Sequence, residues 1–220
     1  MSAYRRAGLL RYAAIQFVVL TAAAMALYAG GTWYEPAATH YQLAHNFLSD
    51  LGATRAFSGR ANYASAVPFA IALVSIGAAL IAFAWSWREF AFGRGRARVV
   101  GAASAWIGTA SGAAFGGIAL APIDHALRLH NDLVLAAFGS LLAYVACLTL
   151  LMWRNGVGRL AANAAYLALV VGYVGLVVLG PRLGTEHGFV VQVVGQKIIV
   201  YGSMGYVIYL TTTTRRALTS

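Results

Sequence analysis

The sequence predicts an all-α fold, a polytopic bundle of six transmembrane helices, and three observations lead there. Of 220 residues, 60% are hydrophobic and only 10% charged, whereas soluble domains run near 45–50% apolar and about 25% charged. The apolar residues fall in six long continuous runs, not in alternating ten-residue segments, which favours helices over a barrel. Basic residues sit between the runs with a strong bias to one side. High apolar content excludes a disordered chain, and 24 glycines without a triplet period exclude a collagen-like one. The single cysteine, Cys147, excludes an intrachain disulfide framework.

A hydrocarbon core about 30 Å thick needs roughly 20 apolar residues per helix. The runs that meet this are approximately 13–30, 64–85, 99–121, 133–153, 161–180 and 189–211. The first follows Arg5, Arg6 and Arg11 and ends in small residues, so a signal peptide is the competing reading, but its length favours an uncleaved helix. Asn62 suits the cap of the second run, and Pro68 lies in its first turns, where a missing N–H costs little. The third run carries Ser104, Gly108, Gly112 and Gly116 at four-residue spacing. Such a stripe of small residues lets helices approach closely in lipid. Thr109 and Ser111 lie beside it, and Pro122 follows its end. Asn131 and Asp132 suit the N-terminal cap of the fourth run, and Pro181 follows the fifth. Trp33, Tyr34, Trp85, Trp87 and Trp153 suit aromatic girdles. Only the connection Gly31–Tyr63 is long, and no stretch remains for a soluble core, so residues 1–220 form one domain.

If the N-terminus is cytoplasmic, one side holds Arg5, Arg6, Arg11, Arg88, Arg94, Arg96, Arg98, Arg154, Arg159, Arg215 and Arg216, eleven of the 16 basic residues. The other side holds Arg55, Arg60, Arg128 and Arg182. The positive-inside rule therefore places both termini in the cytoplasm of a multi-pass protein in the cell (inner) membrane. The basic pI of about 10.2 does not make a nucleic-acid partner, because the arginines are divided among juxtamembrane segments. Anionic membrane lipids account for them at about 1 kcal/mol per basic residue.

The outer side differs chemically. Glu35, Asp50, Asp124, Asp132 and Glu186 all fall there, as do His40, His45, His125, His130 and His187, while Glu89 alone among the acids falls inside. Lys197 lies eight residues beyond Phe189, about 12 Å into the sixth run. A lysine so deep costs at least about 2.5 kcal/mol on insertion scales, so a buried ion pair is expected, with Asp50 or Asp132 as partner. Gln192 and Gln196 share one face of that helix, and Tyr201 and Ser203 extend its polarity inward.

Walker, GxSxG and HExxH motifs are absent, and His125 and His130, five apart, do not share a helix face as metal ligands would. No metal or other cofactor is expected. The first three and last three runs show no repeat, which gives no support to an inverted-repeat transporter.

Phe47-Leu48-Ser49-Asp50-Leu51-Gly52, in the first outer loop, resembles the Ile-Ser-Asp-Leu-Gly signature of the bacterial and archaeal "domain of unknown function 998" membrane family. That family is distantly similar to the DRAM, Sfk and GPI-anchor-remodelling membrane proteins. His130 and Gln196-Lys197 fall where it tends to have a histidine and a Gln-Arg pair, although lysine lacks arginine's bidentate fork. The resemblance implies a polytopic fold and a lipid-related role.

Three functions compete. The first is an outward-facing site that binds or remodels a lipid headgroup. Ser49, Asp50, His130 and Asp132 are its candidate catalytic residues, and Asp124, Glu186, His187, Gln196 and Lys197 its candidate binding residues. If it is an enzyme, ester hydrolysis or transfer fits: His130 as general base oriented by Asp50 or Asp132, with Ser49 or water as nucleophile. The second is a scaffold held to a membrane-protein partner or to a second copy by the Ser104–Gly116 stripe. The third is a proton-coupled carrier of small solutes using Lys197.

Overall fold

The computed structural model describes residues 2–90, 96–154, 156, 160–179 and 185–219, with side chains omitted at 87–90, 96–97, 177–179 and 215–219. It is all-helical: α1 (Ala3–Ala26), a short 3-10 turn η1 (Leu48–Gly52), α2 (Tyr63–Phe90), α3 (Arg96–Leu120), α4 (Leu127–Arg154), α5 (Leu160–Leu179) and α6 (Glu186–Thr219). Five of the six α-helices are long and apolar enough to cross a membrane. The sixth, α5, is apolar but shorter over its described side chains, Leu160–Leu176. This is a multi-pass membrane protein by the length and composition of its helices.

Each helix packs on its sequence neighbours, and α6 returns to α1, so the six close into a ring. The α2–α3 seam is the tightest. Gly112 and Gly77 oppose one another so closely that a Cβ on Gly112 would lie 2.5 Å from the Gly77 carbonyl oxygen, and one on Gly108 2.6 Å from Ala84 Cβ. Gly116, at the stripe's end, faces open space. The small-residue stripe is thus spent inside the bundle. Beside it, Ser111 Oγ donates to Ala137 O of α4 at 2.9 Å, and Trp85 Nε1 donates to Thr109 Oγ1 at 3.1 Å.

The deeper polar residues of α6 are likewise tied between helices. Tyr166 OH donates to Ser203 Oγ at 2.8 Å, and Tyr201 OH meets Thr21 Oγ1 at 3.1 Å. Tyr206 OH donates to Asn163 Oδ1 at 2.9 Å. Hydrogen bonds of this kind hold helices together in lipid, where apolar faces give no preference for each other over acyl chains.

Several boundaries differ from the hydropathy runs. α1 starts at Ala3, ten residues before its apolar run, because Ser2 Oγ caps Arg5 N and the arginine-bearing turns stay helical. α4 starts at Leu127, so Asn131 and Asp132 lie in its second turn and do not cap it. Asn62 immediately precedes α2, but its side chain turns to the loop instead of capping: Oδ1 accepts from Ala29 N, and Nδ2 donates to Ala53 O, each at 3.0 Å. Pro181 and Arg182, the turn residues Arg94 and Arg159, and the side chains of Trp87, Arg88, Glu89, Arg96, Arg215 and Arg216 lie outside the described residues.

The long connection does not lie flat. It folds over the end of the bundle where α2, α4 and α6 begin, and buries η1 among the helix ends, with Leu48 and Leu51 at 3% and 0% exposure. Gly31 makes the turn possible: its φ of +85° and a backbone approach that would put a Cβ 2.6 Å from the Phe57 carbonyl carbon both require glycine.

Candidate functional site

Leu48 N donates to Gln196 Oε1 at 2.6 Å, which seats η1 about 15 Å below the start of α6, ten residues further along that helix. One residue on, Lys197 Nζ donates to Asn46 O at 2.5 Å and lies 5.4 Å from the Tyr41 ring centroid. Gln196 and Lys197 therefore clamp the loop on either side of Phe47.

The hub of this clamp is Asn46, fully buried and not among the residues the sequence singled out. Its Nδ2 donates to Gly31 O at 3.0 Å and Asp50 Oδ2 at 3.2 Å, and its Oδ1 accepts from Gln42 N at 2.9 Å. Its carbonyl also accepts from Tyr41 OH at 3.0 Å. Asp50 caps η1 by accepting from Phe47 N at 2.8 Å. Burial pushes the Asp50 carboxyl up to about 6, against the opposing pull of Asn46, Phe47 N and the Lys197 charge. Burial and the Asp50 charge push Tyr28 up to about 12 and Tyr41 higher still, so both remain protonated; Tyr41 OH donates to Asn46 O, and Tyr28 OH accepts from Asn46 Nδ2 and Phe57 N.

The expected ion pair takes a different form. Lys197 and Asp50 belong to one cluster but make no contact within 4 Å; Asn46 bridges them through its carbonyl and its side-chain amide. Asp132 is exposed on α4 and takes no part. An indirect pair lets each charge keep hydrogen bonds from neutral groups, which a buried contact pair without further partners would lack.

Ser49 turns the other way. Adjacent residues in a 3-10 turn diverge by about 120°, so while Asp50 enters the clamp, Ser49 lines a cleft. That cleft, about 1100 Å3, opens between α4 and α6 beside α5; Ser49, His130, Asn131, Tyr173, Gln192 and Gln196 supply its polar groups. It adjoins a central apolar cavity of about 790 Å3, its open end included, walled by side chains of all six helices. Ser49, His130, Val134, Tyr173 and Gln196 line both spaces and so form the neck between them. Beyond the mouth, Phe47, Ile123 and Leu127 are shared with an outer hollow that Asp50, Arg55 and Asp124 also line.

His130 is 3% exposed, and its Nδ1 lies 2.8 Å from Ala121 O. A carbonyl only accepts, so Nδ1 carries the proton, and in the neutral ring Nε2 keeps a lone pair. The orienting group is therefore the carbonyl just past the end of α3, not the carboxylate of Asp50 or Asp132. Ser49 Oγ makes no hydrogen bond among the described residues, which leaves it available to a ligand.

The remaining candidates lie elsewhere. Asp124 is a clasp: it accepts from Thr54 Oγ1 at 2.7 Å, Thr54 N at 3.0 Å and Arg55 N at 3.0 Å, tying the long loop to the α3–α4 turn. Partial burial works to raise its pKa, but those bonds outweigh it and hold the carboxyl below the usual range. His125 joins the same group through Thr54 Oγ1 at 2.8 Å. Glu186 and His187 are exposed at the start of α6, with Glu186 3.7 Å from His45 Nε2. Of the nine candidates, then, Ser49, His130 and Gln196 line the cleft, while Asp50 and Lys197 support it from behind. Among the described residues no three His, Cys, Asp or Glu side chains come together as a metal site would need.

No protein-family model, curated protein or solved structure matches this chain. Its class rests on the fold and the site: a multi-pass helical membrane protein whose ring of helices encloses an apolar cavity with a polar neck.

Proposed function

We propose that this protein binds a membrane lipid, with an acyl chain in the central cavity and the headgroup at the mouth, between α4 and α6. The observation that carries the proposal is that the two spaces adjoin at a shared wall holding Ser49, His130 and Gln196. A wholly apolar cavity would suit any hydrophobic ligand, and a wholly polar cleft any solute; one set against the other matches an amphiphile. The positive-inside bias supports a mouth on the outer leaflet of the cell membrane with both termini in the cytoplasm. The resemblance of Leu48–Gly52 to the "domain of unknown function 998" signature agrees with a lipid-related role. The scaffold reading loses its main support, because the glycine stripe packs against α2 within the chain.

The test is lipid retention. Purified wild-type protein is expected to carry lipid detectable by native mass spectrometry. Ser49→Ala and His130→Ala are expected to weaken retention at least several-fold while remaining folded, and Asp132→Ala to leave it unchanged. Equal retention in all four proteins would remove the proposal. For sidedness, single-cysteine variants in a Cys147→Ser background at positions 94 and 187 should label from opposite sides of sealed vesicles.

A further inference from the structure

We infer that the mouth is built for an uncharged, hydrogen-bonding headgroup, one that presents hydroxyl, ester or amide groups, and discriminates against phosphate; this rests on the lipid-binding reading above. Around the mouth, the described residues supply two hydroxyls, one imidazole and three carboxamides, from Ser49, Tyr173, His130, Asn131, Gln192 and Gln196, and no Asp, Glu, Lys or Arg. Hydroxyls and carboxamides can each donate and accept, although Gln196 Oε1 already accepts from Leu48 N, and the His130 ring with Nδ1 spent on Ala121 O offers an acceptor at Nε2. That set pairs with a hydroxyl or carbonyl without leaving a charge unmatched.

The chain's only lysine adjoins Gln196, yet its ammonium is committed away from the mouth, to Asn46 O at 2.5 Å and Val193 O at 3.4 Å. It lines neither the cleft nor the cavity. In the outer hollow beyond, two carboxylates, Asp50 and Asp124, stand against one guanidinium, Arg55, whose Nη1 already donates to Gly59 O at 3.2 Å. A phosphate drawn into this mouth would lose hydration and meet no free countercharge among the described residues that line it, the most costly kind of burial. A hydroxyl or amide would exchange its water bonds for protein bonds at nearly even cost.

The cavity below sets the scale of the tail. From neck to floor its wall runs from His130 to Leu141 on α4, from Gln196 to Val207 on α6 and from Phe69 to Leu80 on α2. Each is eleven residue steps, or about 16 Å at 1.5 Å per residue. Half of a hydrocarbon core about 30 Å thick is about 15 Å, so the depth matches a chain the length of one leaflet.

The experiment uses the full chain in detergent micelles and three ligands with the same oleoyl chain: monooleoylglycerol, lysophosphatidylcholine and lysophosphatidylglycerol. Native mass spectrometry is expected to rank monooleoylglycerol at least tenfold tighter than either phospholipid. Gln192→Lys, which places a cation at the mouth, is expected to raise affinity for lysophosphatidylglycerol several-fold. Equal affinities, or a preference for either phospholipid in the wild type, would overturn the headgroup inference and leave lipid binding standing. Failure of all three ligands to bind, or binding undiminished by Val134→Trp at the neck, would overturn both. The wild-type ranking depends on no variant folding.

Discussion

Asn46→Ala should be the most damaging single truncation in the long loop. The side chain makes three hydrogen bonds of 3.2 Å or shorter: to Gly31 O, to Asp50 Oδ2 and from Gln42 N. Truncation strands Gly31 O and Gln42 N and leaves Asp50 Oδ2 with only its bond from Phe47 N, inside or beside a buried cluster. Leaving a buried donor or acceptor unsatisfied costs about 1–3 kcal/mol, with charged groups toward the upper end. Water can reach part of Gln42, so the expected loss is about 3–5 kcal/mol, large against the 5–15 kcal/mol of a typical domain. Asn46→Asp keeps the acceptor for Gln42 N but loses the donors and sets a second carboxylate against Asp50, so it should cost at least as much. Cys147, the only thiol and half-buried in α4, supplies the assay: a thiol-reactive dye reports its exposure as the protein unfolds in micelles. Asp132→Ala is the control, expected within about 0.5 kcal/mol as an exposed site without partners among the described residues. An Asn46→Ala melting curve that overlays the control would show that the clamp does not hold the loop.

Asp50 gives a pH signature. Its folded value of about 6 lies above the ordinary 3.8, so the folded state holds the proton more tightly. The stabilisation is complete below about pH 4 and is lost as pH rises to about 6, by about 3 kcal/mol at 1.36 kcal/mol per unit. Asp50→Asn, which cannot ionise, should flatten this part of a stability–pH curve; an unchanged slope would refute the assignment. Because the Lys197 charge works to lower Asp50, Lys197→Met should move the midpoint of that transition upward. On the α2–α3 seam, Gly112→Ala should cost about 1–3 kcal/mol by overpacking against backbone, whereas Gly116→Ala, facing open space, should be neutral or slightly stabilising in the same melts.

The helices were legible because burial in lipid demands long apolar runs, and those runs survive inspection of a single sequence. Their ends were not, since helix formation continues past the apolar region wherever capping and helix propensity permit, as at Ser2 and through Leu127–Asp132. Lys197 was conspicuous through its cost in lipid, and Gln196 through its spacing. Asn46 had no such signal: an asparagine in a polar loop is ordinary, and only contacts with Gly31, Asp50 and Lys197, up to 151 residues away, make it a hub. Asp132, Glu186 and His187 were grouped with the site by membrane side and by their place at helix ends. Side says nothing about which way a residue faces around a helix, and that direction keeps all three out of the cleft.

Ser49 and Asp50 show why a loop site of this kind cannot be read residue by residue. They are neighbours on one 3-10 turn, yet one contributes a hydroxyl to the neck while the other anchors the turn beneath Asn46. Removing Asp50 would loosen η1, and with it the position of Ser49 and the Leu48–Gln196 bond, so lost lipid binding in an Asp50 variant would report the scaffold as much as the headgroup. Ser49→Ala removes a hydroxyl with no partner among the described residues and should leave the clamp intact. It is therefore the substitution that separates recognition from architecture: a fall in binding at unchanged melting temperature would place the effect at the neck, where chain and headgroup meet.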